Sequence, residues 1–220
     1  MDTLLKTRRI RSINDFEELK DKIMLSLIPE APCIVISCGT CGQARGALKV
    51  VEAFKNEIKK QFVGASRRLV PTLRITGCHG FCEVEPNVII EPDGIFYVRL
   101  KPEDAEVILQ ETIINKRIID RLLYVDPVTH ERIVYEKDIP FYKSQQRIVS
   151  SNNSKIDPTR IDNYIAIGGY GALCKVLKEL VAQEVIDTVK QSGLRGRGGQ
   201  AFRLAGNGVS AGHQEVSLNT

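Results

Sequence analysis

No run of apolar residues in this chain approaches the roughly 18 needed to cross a bilayer as a helix. Direct membrane insertion is therefore not expected. The N-terminus lacks the apolar core of a secretory signal, so the cytoplasm is the expected compartment. Charge of one sign is also scarce: 31 Lys and Arg stand against 27 Asp and Glu, a net charge of +4. The basic residues are scattered, apart from Arg8-Arg9-Ile10-Arg11 and Arg67-Arg68. Those read as solvated surface and not as a nucleic-acid footprint, so no nucleic-acid partner is expected. There are three His, and His130-Glu131 is not followed by a second His four residues on, which excludes the metal-binding helix of a zincin. What remains is an ordinary globular composition, 43% hydrophobic and 26% charged, and 220 residues give room for one or two domains with a real core.

Against this plain background the cysteines stand out. Four of the six fall in two tight pairs, in Cys38-Gly39-Thr40-Cys41 and Cys78-His79-Gly80-Phe81-Cys82. Thiols two or three residues apart can converge on one centre. Two such pairs supply the four thiolates that a [2Fe–2S] cluster or a tetrahedral zinc requires. Each pair follows a stretch that reads as a strand, and a loop leaving a strand tip can aim both sulfurs one way. Close spacing in a chain without a secretory signal speaks for metal or redox use and against a disulfide framework. Two bland readings stay open: half-buried free thiols, or a redox dithiol.

Periodicity places the elements. Phe16, Leu19, Ile23 and Leu27 recur at helical spacing, with Ser12 or Asn14 able to cap, and Pro29 and Pro32 end that helix. The continuously apolar Cys33-Ile34-Val35-Ile36 reads as a buried strand. Ala47, Leu48, Val51, Phe54 and Ile58 define a second helix, and Leu69 to Ile75 a strand running into the second cysteine loop. Asn87 to Ile90 and Ile95 to Leu100 are short strands joined by Pro92-Asp93-Gly94, a hairpin signal. Pro102 opens a closing helix with Ala105, Ile108 and Leu109 on one face. This α-β-α-β-β-β-α order resembles the thioredoxin arrangement over residues 1–115.

Residues 116–156 show no sustained period and read as a linker lying along a neighbouring surface, with a disordered tether as the alternative. From Asp157 a second pattern begins. Leu173, Val176, Leu177, Leu180, Val181, Val185 and Val189 mark the apolar face of one helix from about Ala172 to Gln191, with Gly193 as its C-terminal cap and Cys174 expected in the core. The following Leu194-Arg195-Gly196-Arg197-Gly198-Gly199 allows close backbone approach to a phosphate, although a flexible turn has the same composition.

The order of Thr76-Gly77-Cys78-His79-Gly80-Phe81-Cys82-Glu83, Phe141-Tyr142-Lys143, Ile156-Asp157-Pro158, Ile161-Asp162-Asn163-Tyr164, Gly168-Gly169-Tyr170 and Ser192 to Gly199 resembles the NADH-binding flavoprotein subunit of NADH:quinone oxidoreductase. It is most similar to the bacterial branch that includes the flavoproteins of NAD(P)-linked hydrogenases. The resemblance runs from about residue 30 to 199. It implies an α/β architecture: a thioredoxin-like [2Fe–2S] ferredoxin domain at 1–115, a linker at 116–156, and the start of an FMN-binding α/β domain at 157–199. It also implies FMN bound by Gly196, Arg197, Gly198 and Gly199, hydride delivered by NAD(P)H, electrons leaving singly through iron–sulfur clusters, and partners among the other subunits of a dehydrogenase or hydrogenase complex. Whether this chain alone is an enzyme stays open.

Two departures accompany the resemblance. Ferredoxins of this type usually place four residues between the first two cysteines, which puts Ile36 at the expected ligand position. Cys38 is the nearby substitute, giving a metal set of Cys38, Cys41, Cys78 and Cys82. After Gly199 the family pattern of Ala-Gly-Phe-Pro followed by Lys-Trp is lost. With Gly199 encoded GGG, codons for 200–220 read one base earlier can restore those landmarks in order. The expectation is thus a truncated chain with a disordered, frameshifted tail, too little of the NADH pocket to oxidise NADH, and only weak affinity for FMN.

Overall fold

Strand β1 (Cys33–Ser37) is buried along its whole length because it is an inner strand with both faces covered. In the computed structural model, which describes residues 9–26, 31–66 and 69–196, β1 pairs in parallel with β2 (Thr72–Thr76) and antiparallel with β3 (Val88–Glu91). Strand β4 (Ile95–Tyr97) completes the order β2-β1-β3-β4 through the expected hairpin. Ile36 stands opposite Ile75 on one side and Val88 on the other. This mixed sheet is the core of a thioredoxin-like ferredoxin fold, as the sequence order predicted.

Side chains alternate across β1, so one strand feeds two cores. Ile34 and Ile36 face helix α3 (Ala47–Gln61), where Val50, Val51 and Phe54 meet Tyr97, Ile108, Leu109 and Ile113. Cys33 and Val35 face the other way, with Ile89, Phe96, Phe81, Val84, Tyr124 and Ile139. The short α2 (Thr40–Ala44) precedes α3 and carries Cys41. The closing helix begins as α4 (Asp104–Val107), with the Asp104 carboxylate accepting the Lys101 N–H at 2.7 Å. It continues as a π-helix over Ile108–Ile114, which ends with the Asn115 N–H donating to the Gln110 carbonyl at 2.9 Å.

The chain beyond residue 115 adds to the sheet. Strand β4 would otherwise present an open edge. The Val98 N–H donates to the Leu122 carbonyl at 2.9 Å and the Phe96 N–H to the Val134 carbonyl at 2.8 Å. Between these carbonyls lies a small hairpin, β5 (Tyr124–Val125) and β6 (Arg132–Ile133), whose turn is held by Asp126 Oδ1 accepting the N–H groups of Val128 and Thr129. Helices α5 (Pro140–Lys143) and α6 (Ile161–Ala166) follow, and the compact unit that holds the sheet spans Glu18–Ile167.

Helix α1 (Ile13–Ser26) starts as expected on Ser12, whose Oγ accepts the Asp15 N–H at 3.1 Å. Its first turn belongs to a second compact unit, whose described residues are 9–17 and 168–196. Within that unit Phe16 and Tyr170 meet edge to face, 6.3 Å between centroids. The single helix expected from Ala172 to Gln191 is two, α7 (Gly171–Glu179) and α8 (Ala182–Gln191). Leu180 leaves helical geometry at φ −121° and ψ 147°, and the Glu184 carboxylate accepts the Val181 N–H at 2.8 Å, which starts a new helix there. Cys174, expected in the core, is only half-buried. Among the described residues no helix is long and apolar enough to cross a membrane. The tail at 200–220 lies outside the described residues.

Candidate metal centre

Both cysteine loops leave the same end of the sheet, because β1 and β2 are parallel neighbours that end together at Ser37 and Thr76. The first loop is held by the Cys38 N–H donating to the Thr76 carbonyl at 3.1 Å and by Gln43 Nε2 donating to the Cys38 carbonyl at 2.9 Å. Cys41 then sits exposed in the first turn of α2, while Cys38 is buried at 8% exposure.

The second loop is anchored by Thr76, whose Oγ1 donates to the Ile36 carbonyl at 2.9 Å and lies 2.7 Å from His79 Nε2. His79 is fully buried, and burial together with the Arg147 charge lowers its pKa to about 4, so the ring is neutral at pH 7. Gly80 turns the chain at φ +88°, a conformation that favours glycine, and its N–H donates to Cys78 Sγ at 3.2 Å. A 3₁₀ turn over Cys82–Val84 follows. Arg45 Nη1 ties the loops together by donating to the Glu83 carbonyl at 2.9 Å.

Cys82 meets both Cys41 and Cys78. Its thiol pKa is pushed up to about 11, first by the hydrogen bond with Cys41, then by burial and by Cys78. Thiols crowded in this way disfavour thiolates until a cation is supplied, which is the donor chemistry of an iron or zinc site. Cys38 is set apart from this group. Its pKa is raised by burial, with Glu85 and Asp157 adding negative charge. Among the described residues no three His, Cys, Asp or Glu side chains stand in the geometry of a single metal ion. Four sulfurs around one zinc require one common point, whereas a two-iron cluster takes its ligands as two separated pairs. By donor type, four thiols on two neighbouring loops suit either centre.

Ile36, at the usual ligand position, is fully buried in the α3-side core. Of the expected flavin loop only Gly196 is described; Arg197, Gly198 and Gly199 lie outside the described residues. The structure also brings in residues that the sequence did not single out. Glu85 is buried, accepts the Ser37 hydroxyl at 2.6 Å and has its pKa raised by burial. Arg147 and Asn153 hydrogen-bond to the second loop across 68 and 75 residues of chain, a separation that leaves no local signal.

Fold and paired thiols are those of a thioredoxin-like domain with two cysteine loops at one end of its sheet. Residues 23–113 match the thioredoxin-like [2Fe–2S] ferredoxin family. A 2Fe-2S ferredoxin of Aquifex aeolicus is 31% identical over 85 residues, 39% of this chain and 73% of that protein. The chain belongs to this family. The crystal structure of the thioredoxin-like [2Fe–2S] ferredoxin from Aquifex aeolicus overlays 42% of this chain and 94% of its own, with a TM-score of 0.38 and 23% identity. A 60-residue stretch, 27% of the chain, is 55% identical to the HndC component of the NADP-reducing hydrogenase of Solidesulfovibrio fructosivorans. Another match, 44% over 50 residues or 23% of the chain, is to a component of the NADH-quinone oxidoreductase of Buchnera aphidicola. The matched stretches span only 12% and 11% of those two proteins.

Proposed function

We propose that this chain carries one [2Fe–2S] cluster on Cys38, Cys41, Cys78 and Cys82 and serves as the ferredoxin part of an electron-transfer flavoprotein subunit. The observation that carries this reading is Cys82 meeting Cys41 from the other loop as well as Cys78 from its own. Such a cluster, when bound, accepts and passes on one electron at a time. The chain's own residues aim the thiols, keep bulk water from Cys38, and join the two loops through Arg45 and Glu83. Similarity to components of a hydrogenase and of an NADH-quinone oxidoreductase supports partners among the other subunits of such a complex, and the cytoplasm is the proposed compartment. The proposed division is a ferredoxin domain at 1–115, a connecting segment at 116–156 and the start of an FMN domain at 157–199. FMN on Gly196 to Gly199 and NAD(P)H rest on the resemblance. One described position does not make a flavin site, and no step through either is derived.

A second reading, a free-standing ferredoxin that docks a larger oxidoreductase, is favoured by the 73% coverage of the Aquifex ferredoxin. Anaerobic reconstitution followed by absorbance, iron and sulfide analysis tests both. Two irons and two sulfides per chain, lost in Cys78→Ser and Cys82→Ser, are expected. Flavin bands in addition favour the flavoprotein subunit, and iron–sulfur bands alone favour the ferredoxin. A colourless protein that takes up no iron and reduces disulfides refutes both and leaves the dithiol reading.

A further inference from the structure

Loop 77–82 leaves the sheet at Thr76, so the carbonyls of Cys78 and His79 have no partner in a strand or helix ladder. Both are met by a segment that crosses the loop from far along the chain. Arg147 Nη2 donates to the His79 carbonyl at 2.5 Å, and Asn153 Nδ2 donates to the Cys78 carbonyl at 3.1 Å. Those two peptide units connect Cys78 to Gly80, whose N–H donates to Cys78 Sγ. Fixing their planes fixes the direction of the thiol and of the donor that faces it. The segment is itself anchored. Phe141 stacks on Phe81 with centroids 4.3 Å apart and planes 13° from parallel. The Arg147 guanidinium lies over the Tyr142 ring at 4.7 Å, and its Nε donates to Gln145 at 3.0 Å. Tyr142 in turn meets Phe81 and Phe96 edge to face, within the core behind the sheet.

We propose that residues 139–157 form a strap that holds the Cys78–Cys82 loop in its ligand conformation, with Arg147 and Asn153 as positioning residues that also make the loaded centre easier to reduce. The holding role stands on the geometry alone; the tuning role rests on the iron–sulfur reading above. Its physical basis is the sign of the charge. Reduction adds one negative charge beside loop 77–82, and a guanidinium bound to that loop stabilises the reduced state more than the oxidised one. The Asn153 donor acts in the same direction through its dipole.

The test uses the full chain. In metal-free protein, hydrogen–deuterium exchange is followed for the peptide covering 77–84, with the peptide covering β1 as internal reference. Arg147→Ala is expected to speed exchange in 77–84 by about tenfold, as loss of a charge-assisted hydrogen bond does, and Asn153→Asp, which removes an exposed neutral one, by about threefold, both leaving β1 unchanged. Arg147→Lys should restore part of the protection. Unchanged exchange in both variants overturns the strap. In reconstituted protein, Arg147→Ala should lower the midpoint potential and Arg147→Lys should return it towards the wild-type value, a response that a purely structural role would not produce. An unchanged potential in an iron-loaded Arg147→Ala chain overturns the tuning role. A wild type that takes up no iron refutes the proposed function and leaves the exchange result standing.

Discussion

Gly39 lies against Cys78 so closely that a Cβ on Gly39 would stand 2.7 Å from the Cys78 Cβ. The first cysteine loop thus touches the second at a residue with no side chain, and that contact sets how near Cys41 can come to the other pair. The backbone at Gly39 is ordinary, φ −67° and ψ 176°, so space and not conformation requires glycine.

Gly39→Ala should therefore push the loops apart. The expected cost is about 1–3 kcal/mol of stability, as for other overpacked sites, together with loss of iron binding after reconstitution. Gly171→Ala is the control, because nothing lies within 4 Å of its Cβ position and it opens α7, where alanine is the better helix former. Urea denaturation with iron analysis reads both, and an iron-loaded, fully stable Gly39→Ala would show that the loops do not depend on this contact.

Phe81 joins the cysteine loop to the core behind the sheet. Its ring is 7% exposed, stacks on Phe141 and lies 5.4 Å from the Tyr124 centroid. Phe81→Ala should cost about 3–5 kcal/mol, the range for truncating a buried phenylalanine. Phe81→Leu should cost much less. Equal stability of the alanine and wild-type chains in thermal melts would contradict the packing described.

Cys33 and Cys174 should not contribute to iron binding. Cys33 is buried in β1, and its thiol is pushed up by burial, which keeps it protonated; Cys174 lies on α7. Cys33→Ser and Cys174→Ser are expected to keep full iron content after reconstitution. Loss of half the iron in either would move the site.

Asp162 gives the fold an acid-sensitive point. Arg160 donates to it twice, at 3.1 and 2.8 Å, and the Asn163 N–H donates at 3.0 Å, which holds its carboxyl below the usual range. A carboxyl whose folded pKa lies below its unfolded value stabilises the fold above the unfolded value, about 3.9, and that contribution is lost as pH falls through the folded pKa. Asp162→Asn should cost about 1–2 kcal/mol at pH 7, discounted because the pair is partly exposed, and should flatten the fall in stability below pH ~4. Identical slopes for the two chains in acid titrations of stability would remove Asp162 from the account.

The core elements were legible in the sequence because their signals are local. An unbroken apolar run marks a strand covered on both faces, as in Cys33 to Ile36, and helical spacing marks the buried face of α3 through Val51 and Phe54. Cysteine spacing likewise marked the two loops that leave β1 and β2. Local pattern could not announce the break between α7 and α8, since Leu180 and Val181 continue the apolar period and only the Glu184 carboxylate starts a new helix. Nor could it say which thiols meet. That depends on β1 and β2 being parallel and ending together, which brings Cys82 to Cys41 while Cys38 turns inward. The partners of residues 116–157 were equally invisible, because a segment that completes an edge strand or caps two loop carbonyls needs no period of its own. Its order comes from donors and acceptors on the surface it crosses, and those are assembled only when the chain has folded.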